Sequence, residues 1–196
     1  MKVRRVVEVG LQGVGAVALL AVGALGLMGV NAVQRGFRAS DPPSMAEAQA
    51  ARLARSFAVP TAVRNRKCPL SATDEVLARG RAHWADHCAG CHANDGSGDT
   101  PMGRGTYPRA PDMRSGPSQA MTDGELYAVI QHGVRLTGMP AWGGGDDEAQ
   151  TWELVAFIRH LPHTTAAELE EMKSMNPVSR HELEETRTED EFLRGP

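Results

Sequence analysis

Cys88-Ala89-Gly90-Cys91-His92 sets two thiols three positions apart, with an imidazole directly after the second. Thiols so spaced can add to the two vinyl groups of one haem, and the histidine that follows can then bind its iron from one face. C-x-x-C also serves redox disulfides and half-sites for zinc, but the chain has no second C-x-x-C and no βαβ pattern around this one. Neither rival asks for a histidine at position 92, so covalent haem attachment is the expectation. The third cysteine, Cys68, sits in Arg66-Lys67-Cys68-Pro69 with no apolar lipobox before it. It reads as a free thiol, with an intermolecular disulfide as the alternative in an oxidising compartment.

Helices must position these residues, because no strand pattern flanks them. Thr73 reads as an N-cap, and Asp74 and Glu75 in the first turn complement the helix dipole. Val76, Gly80, Trp84 and Cys88 then follow at helical spacing, so the buried stripe of this helix leads into the thiol motif. A second helix is expected over Asp123 to Gln131, capped by Thr122. A third spans Gln150 to His160, with Trp152, Val155, Ala156 and Phe157 inward and Leu161-Pro162 closing it. Aromatics make up only 5% of the chain, a thin supply for a core, and a bound porphyrin would add the missing apolar bulk.

The motif and this order of helices resemble the class I cytochrome c family over residues 71–162. That resemblance implies an all-α cytochrome c fold of three to four helices around one covalently attached haem c. It implies that a glycine of the first helix, here Gly80, lets an aromatic of the last, here Phe157, approach where the two cross. The Gly-rich segment Asn94 to Asp99 resembles the loop that passes close to the ring; it carries neither a phosphate-loop nor an EF-hand pattern. The family also points to a methionine in a Gly-Met-Pro context as the second iron ligand. Gly138-Met139-Pro140 stands 47 residues after His92, and Met139 is the candidate. A neutral, soft thioether favours Fe(II) and raises the potential, and Pro140 restrains the backbone on both sides of the bond before it. Met102, Met113 and Met121 compete, as do His132, His160 and His163. Tyr107 or Trp142 is a candidate donor to a haem propionate, and Arg109 a candidate ion-pair partner.

The ends of the chain are different material. Val9 to Val30 is a run of 22 residues with no charge and only Gln12 polar, long enough to span a bilayer. Lys2, Arg4 and Arg5 before it predict a cytoplasmic N-terminus, against Arg35 and Arg38 after it. A cleaved signal peptide ending near Ala32 is the alternative. Gly23, Gly26 and Gly29 would thin one side of the span for a neighbouring helix, unless they reflect only the ordinary glycine content of such helices. Ser44-x-x-Glu47 is a capping box opening a short helix to about Phe57, with Arg52 and Arg55 facing solvent or lipid headgroups.

Four segments result: 1–33, a membrane anchor; 34–70, a linker with a short helix; 71–162, the cytochrome c domain; and 163–196, an acidic tail. Residues 1–70 carry 10 Lys/Arg against 3 Asp/Glu, residues 71–162 carry 7 against 12, and residues 163–196 carry 4 against 9. A basic front and acidic remainder suit different neighbours. In the tail, Ala166 to Met172 extends as helix, and Glu189 to Leu193 reads as a solvating end or a docking peptide.

The expected function is one-electron transfer, not enzymatic turnover, by a mono-haem cytochrome anchored through residues 9–30. Its haem domain stands on the periplasmic face of a bacterial cytoplasmic membrane. Cys88 and Cys91 fix the ring, and His92 and Met139 hold the iron. Partners are redox proteins, with a basic surface preferred by the acidic domain, or a membrane respiratory complex in which the chain is a fixed subunit; no nucleic acid is expected. The rival is a haem enzyme whose sixth site is open to peroxide or a gas.

Overall fold

The computed structural model describes residues 2–35, 38–39, 41–143, 148–178 and 184, and every regular element among them is helical. The chain divides into two compact units, residues 1–38 and 39–196. The first is α1 (Lys2–Arg35), whose stretch Gln12–Asn31 is long and apolar enough to cross a membrane, with a mean hydropathy of 2.2. A methyl added at Gly23, Gly26 or Gly29 would meet nothing within 4 Å, so that side of α1 is open.

The second unit is built on two crossing helices, α4 (Asp74–His83) and α9 (Glu148–His160). Thr73 caps α4 by accepting from the Val76 N–H at 3.4 Å, as the sequence predicts. At the crossing a Cβ on Gly80 would meet the Glu153 carbonyl carbon and the Phe157 Cβ at 2.9 Å, so only glycine lets the backbones this close. Phe157, Trp84, Leu126, Leu154 and Val155 are fully buried around that point. α8 (Asp123–His132) closes the core with Leu126 and Ile130, its start fixed by a capping box between Thr122 and Glu125.

The linker and tail boundaries differ from those the sequence suggests. α2 (Met45–Ala58) opens with the expected Ser44–Glu47 capping box. From Val59 onward, however, the chain is packed against the helical core. α3 (Thr61–Arg64) lies on α8, where the Thr122 hydroxyl donates to the Arg64 carbonyl at 2.8 Å. Gly124 leaves room for the Val63 carbonyl, and the Arg66 guanidinium lies over the rings of Tyr127 and Trp152 at 4.6 and 5.0 Å. Residues 59–70 are thus a strap on the domain.

The same correction applies after residue 162. α10 (Ala166–Lys173) buries Met172 completely, and Arg81 of α4 pairs with Glu168 and Glu171 at 2.9 and 2.7 Å. Composition hides such a contact, because only a few apolar side chains, Met172 with Leu169 and Met175 beside it, make it among charged neighbours. The Glu189 to Leu193 segment lies outside the described residues.

Candidate haem site

The thiol motif does not continue α4 in register. Residues Trp84–Cys88 form a π-helical turn, and α5 (Ala89–His92) follows it. A π turn takes one residue more per hydrogen bond than an α turn, so Cys88 departs from the regular α spacing of Val76, Gly80 and Trp84 while still packing against the core. Trp84 stays in the core and secures the exit: its indole N–H donates to the Ala93 carbonyl at 3.0 Å, and its ring lies 5.6 Å from that of His92 and 6.0 Å from that of Phe157. The helix crossing and the histidine are therefore joined through one side chain.

After His92 the backbone turns back on itself. Ala93 has φ +61, Gly96 +77 and Gly98 +72. The Gly98 N–H donates to the His92 carbonyl at 2.8 Å, and the Met113 N–H to the Gly96 carbonyl at 2.7 Å. A Cβ on Gly98 would stand 3.0 Å from the Ala110 carbonyl carbon, so glycine here brings residues 110–111 against the motif. α6 (Pro101–Gly105) adds a brace: Thr100 caps it and its hydroxyl bonds to the Gly90 and Cys91 carbonyls at 2.8 and 3.1 Å. Thr100 escaped the sequence reading, although a threonine before a proline at the first helical position is a legible helix start.

The electrostatics are those of neutral donors. Burial lowers the His92 pKa, opposed by the Pro111 carbonyl, so the ring is held as free imidazole. Its Nδ1 is buried with no hydrogen-bond partner of normal geometry. Burial, with Cys91 adding to it, pushes the Cys88 thiol up to about 12. No two cysteines are joined, and no group of three or more His, Cys, Asp or Glu able to hold a metal ion occurs among the described residues. Two unjoined thiols and a neutral imidazole fit a covalently bound haem.

Met139 is half-buried in the loop between α8 and α9. Gly133, at φ +63, turns the chain out of α8, and the Val134 N–H donates to the Met139 carbonyl at 3.0 Å. On one side of the methionine, Gly138 packs on the Thr106 methyl; on the other, the Trp142 ring meets the His87 ring edge-on at 5.3 Å. The loop is thus tied both to the segment after the thiol motif and to the π turn before it.

The competitors are engaged elsewhere or turned out. Met113 is buried in the core, Met121 packs against it, Met102 is 62% exposed, and His160 bonds Glu168 at 3.0 Å. His132 and His163 are exposed. The Tyr107 hydroxyl donates to Glu47 of α2, which takes it away from the expected propionate role. Cys68 is half-buried, with its Sγ 3.7 Å from the Leu70 and Trp152 carbonyls and its N–H on Asp123 at 3.1 Å. Burial raises its pKa, and its place in the strap packs the thiol against the core.

Helices crossing at a glycine, a C-x-x-C-H turn at their junction and a Gly-bearing loop beyond it define a class I c-type cytochrome domain. Residues 75–158 match the family described as cytochrome C oxidase, cbb3-type, subunit III. The stretch is a haem c electron-transfer domain of cytochrome c fold, and the N-terminal apolar helix fits a membrane-anchored protein.

Proposed function

We propose that the chain is a mono-haem one-electron carrier held to the bacterial cytoplasmic membrane by α1, with its haem domain in the periplasm. Cys88 and Cys91 carry the porphyrin as thioethers, and His92 and Met139 are the axial ligands. The observation that most supports this is the double fastening of the Met139 loop, at Thr106 and at His87, on the two segments that flank the thiol motif. The bound haem supplies the one-electron couple. His92 would contribute a neutral imidazole nitrogen, because burial keeps the ring from taking up a proton. Met139 contributes a neutral sulfur, which favours the reduced state and raises the potential. Held by His92 and Met139 together, the iron would have no position open to substrate, and the protein's part would be to keep these two side chains in place.

The family description names an oxidase subunit, and the acidic domain suits a basic redox surface by steering. We take the chain to be a subunit or close satellite of a membrane respiratory complex.

The test is the ferric absorption spectrum of the purified holoprotein. The expected result is a weak near-red sulfur-to-iron charge-transfer band that Met139→Ala abolishes, together with a fall in potential. A high-spin wild-type spectrum without that band would overturn the assignment of Met139 and favour a ligand-binding haem.

A further inference from the structure

α2 leaves its large apolar side chains in the open. Every side chain described in it is exposed except Ala48, which is half-buried; Met45 is 76%, Leu53 60% and Phe57 79% exposed. An isolated helix of about 14 residues is marginal in water, and helices of this length usually take their stability from an apolar face in contact with something. α2 has such a face. Ala46, Ala50, Leu53, Ala54 and Phe57 recur at three- and four-residue spacing, while Gln49, Ala51 and Arg52 fall outside that stripe.

Its position in the chain says what can cover it. α1 ends at Arg35 and α2 begins at Met45, so the nine residues 36–44 connect them. Such a connection reaches at most about 35 Å. A chain that crosses a bilayer at Gln12–Asn31 therefore keeps α2 within reach of that bilayer's surface. Charge points the same way: from the exit of the span to the end of α2 the chain carries Arg35, Arg38, Arg52 and Arg55 against Asp41 and Glu47. Basic amphipathic helices lie in the interface plane of anionic membranes, with large apolar residues between headgroups and acyl chains.

We propose that α2 is a membrane-surface helix, with Leu53 and Phe57 in the headgroup layer of an anionic bilayer. This rests on the reading of α1 as an uncleaved anchor. Glu47, off the apolar stripe at the first turn, accepts a hydrogen bond from Tyr107 in the loop after α6. The helix therefore both rests on lipid and grips the domain, so it limits how far the domain turns over the surface.

The experiment uses the full-length holoprotein with Cys68→Ser and a nitroxide placed by Phe57→Cys, or by Ala51→Cys as the off-stripe control. Each is reconstituted in phosphatidylcholine vesicles with and without phosphatidylglycerol. Collision with oxygen, which concentrates in lipid, is compared with collision with a water-soluble nickel chelate. The expected result is a several-fold preference for oxygen at 57, the reverse at 51, and a contrast that weakens without phosphatidylglycerol. Leu53→Cys repeats the first result if Phe57→Cys binds no haem. Equal, high nickel collision at both positions overturns the proposal, because α2 is then free in water. Protection of position 57 from both reagents with spin–spin broadening also overturns it, because a second copy then covers the face. Chains that fail to float with vesicles at all would remove the anchor reading, and this proposal with it.

Discussion

His87 and Trp142 do at the residue scale what neither sequence position announces. His87 lies one residue before Cys88, makes an ion-pair contact with Asp86 at 3.0 Å, and stacks edge-on against both His83 and Trp142. Contacts of this kind contribute roughly 0.5–1.5 kcal/mol. If the Trp142 contact steadies the proposed Met139 ligand, His87→Ala shifts the open loop population by about two- to tenfold. The measurement is the rate of cyanide binding to the ferric protein, expected to rise by that factor with unchanged haem content. An unchanged rate would mean the ring pair has no part in holding the loop. The Gly-Met-Pro context that makes Met139 the proposed ligand was legible in the sequence, whereas the Tyr107 contact with Glu47 was not. A tyrosine in a Pro-rich loop looks like a wall residue, and nothing local reveals a carboxylate from a helix 60 residues earlier.

At the scale of elements, periodicity and caps carried most of the reading. Thr73, Thr122 and the Ser44–Glu47 box mark helix starts in the structure, because capping needs only residues within one turn. The π turn was invisible: Val76, Gly80, Trp84 and Cys88 share α spacing, yet the last of them is displaced by backbone bonding that side-chain patterns do not encode. The Gly80 crossing gives a sharp prediction. Gly80→Ala sets a methyl against Phe157 Cβ and the Glu153 backbone, and overpacking of this kind costs about 1–3 kcal/mol. Gly105→Ala, with nothing within 4 Å, stays within about 0.5 kcal/mol of wild type. Denaturant titration followed by far-ultraviolet dichroism measures both. Equal effects would mean that α4 and α9 separate at little cost.

For the whole molecule, long-range contacts set the limits of the domain, and these are what composition cannot show. Asp123 is where the strap meets the core: it accepts from the Cys68 N–H and from Arg159 Nε and Nη2 at 3.1, 3.0 and 2.8 Å. Burial alone would raise its pKa, but Arg159 and the Cys68 N–H outweigh burial and hold it below the usual carboxylate value. A carboxylate depressed by folding stabilises above its unfolded pKa of about 4 and loses that contribution as pH falls through its folded value. Asp123→Asn is therefore expected to be less stable than wild type by a constant margin from pH 5 to 7, with the gap closing below about pH 4. Denaturation midpoints across that range measure it, and a gap that persists at low pH would mean Asp123 acts through packing and not charge. The strap has a mechanical consequence as well. Tension on the chain before it would meet the domain first at the Glu47–Tyr107 contact and then at residues 59–70, where Arg66, Asp123 and Gly124 take it up on α8. The first turn of α4 is bypassed, so a pull taken up at the strap is not transmitted down the helix whose far end leads to the thiols. The attachment would work as strain relief on a cable, taking up a pull on residues 59–70 before it enters α4.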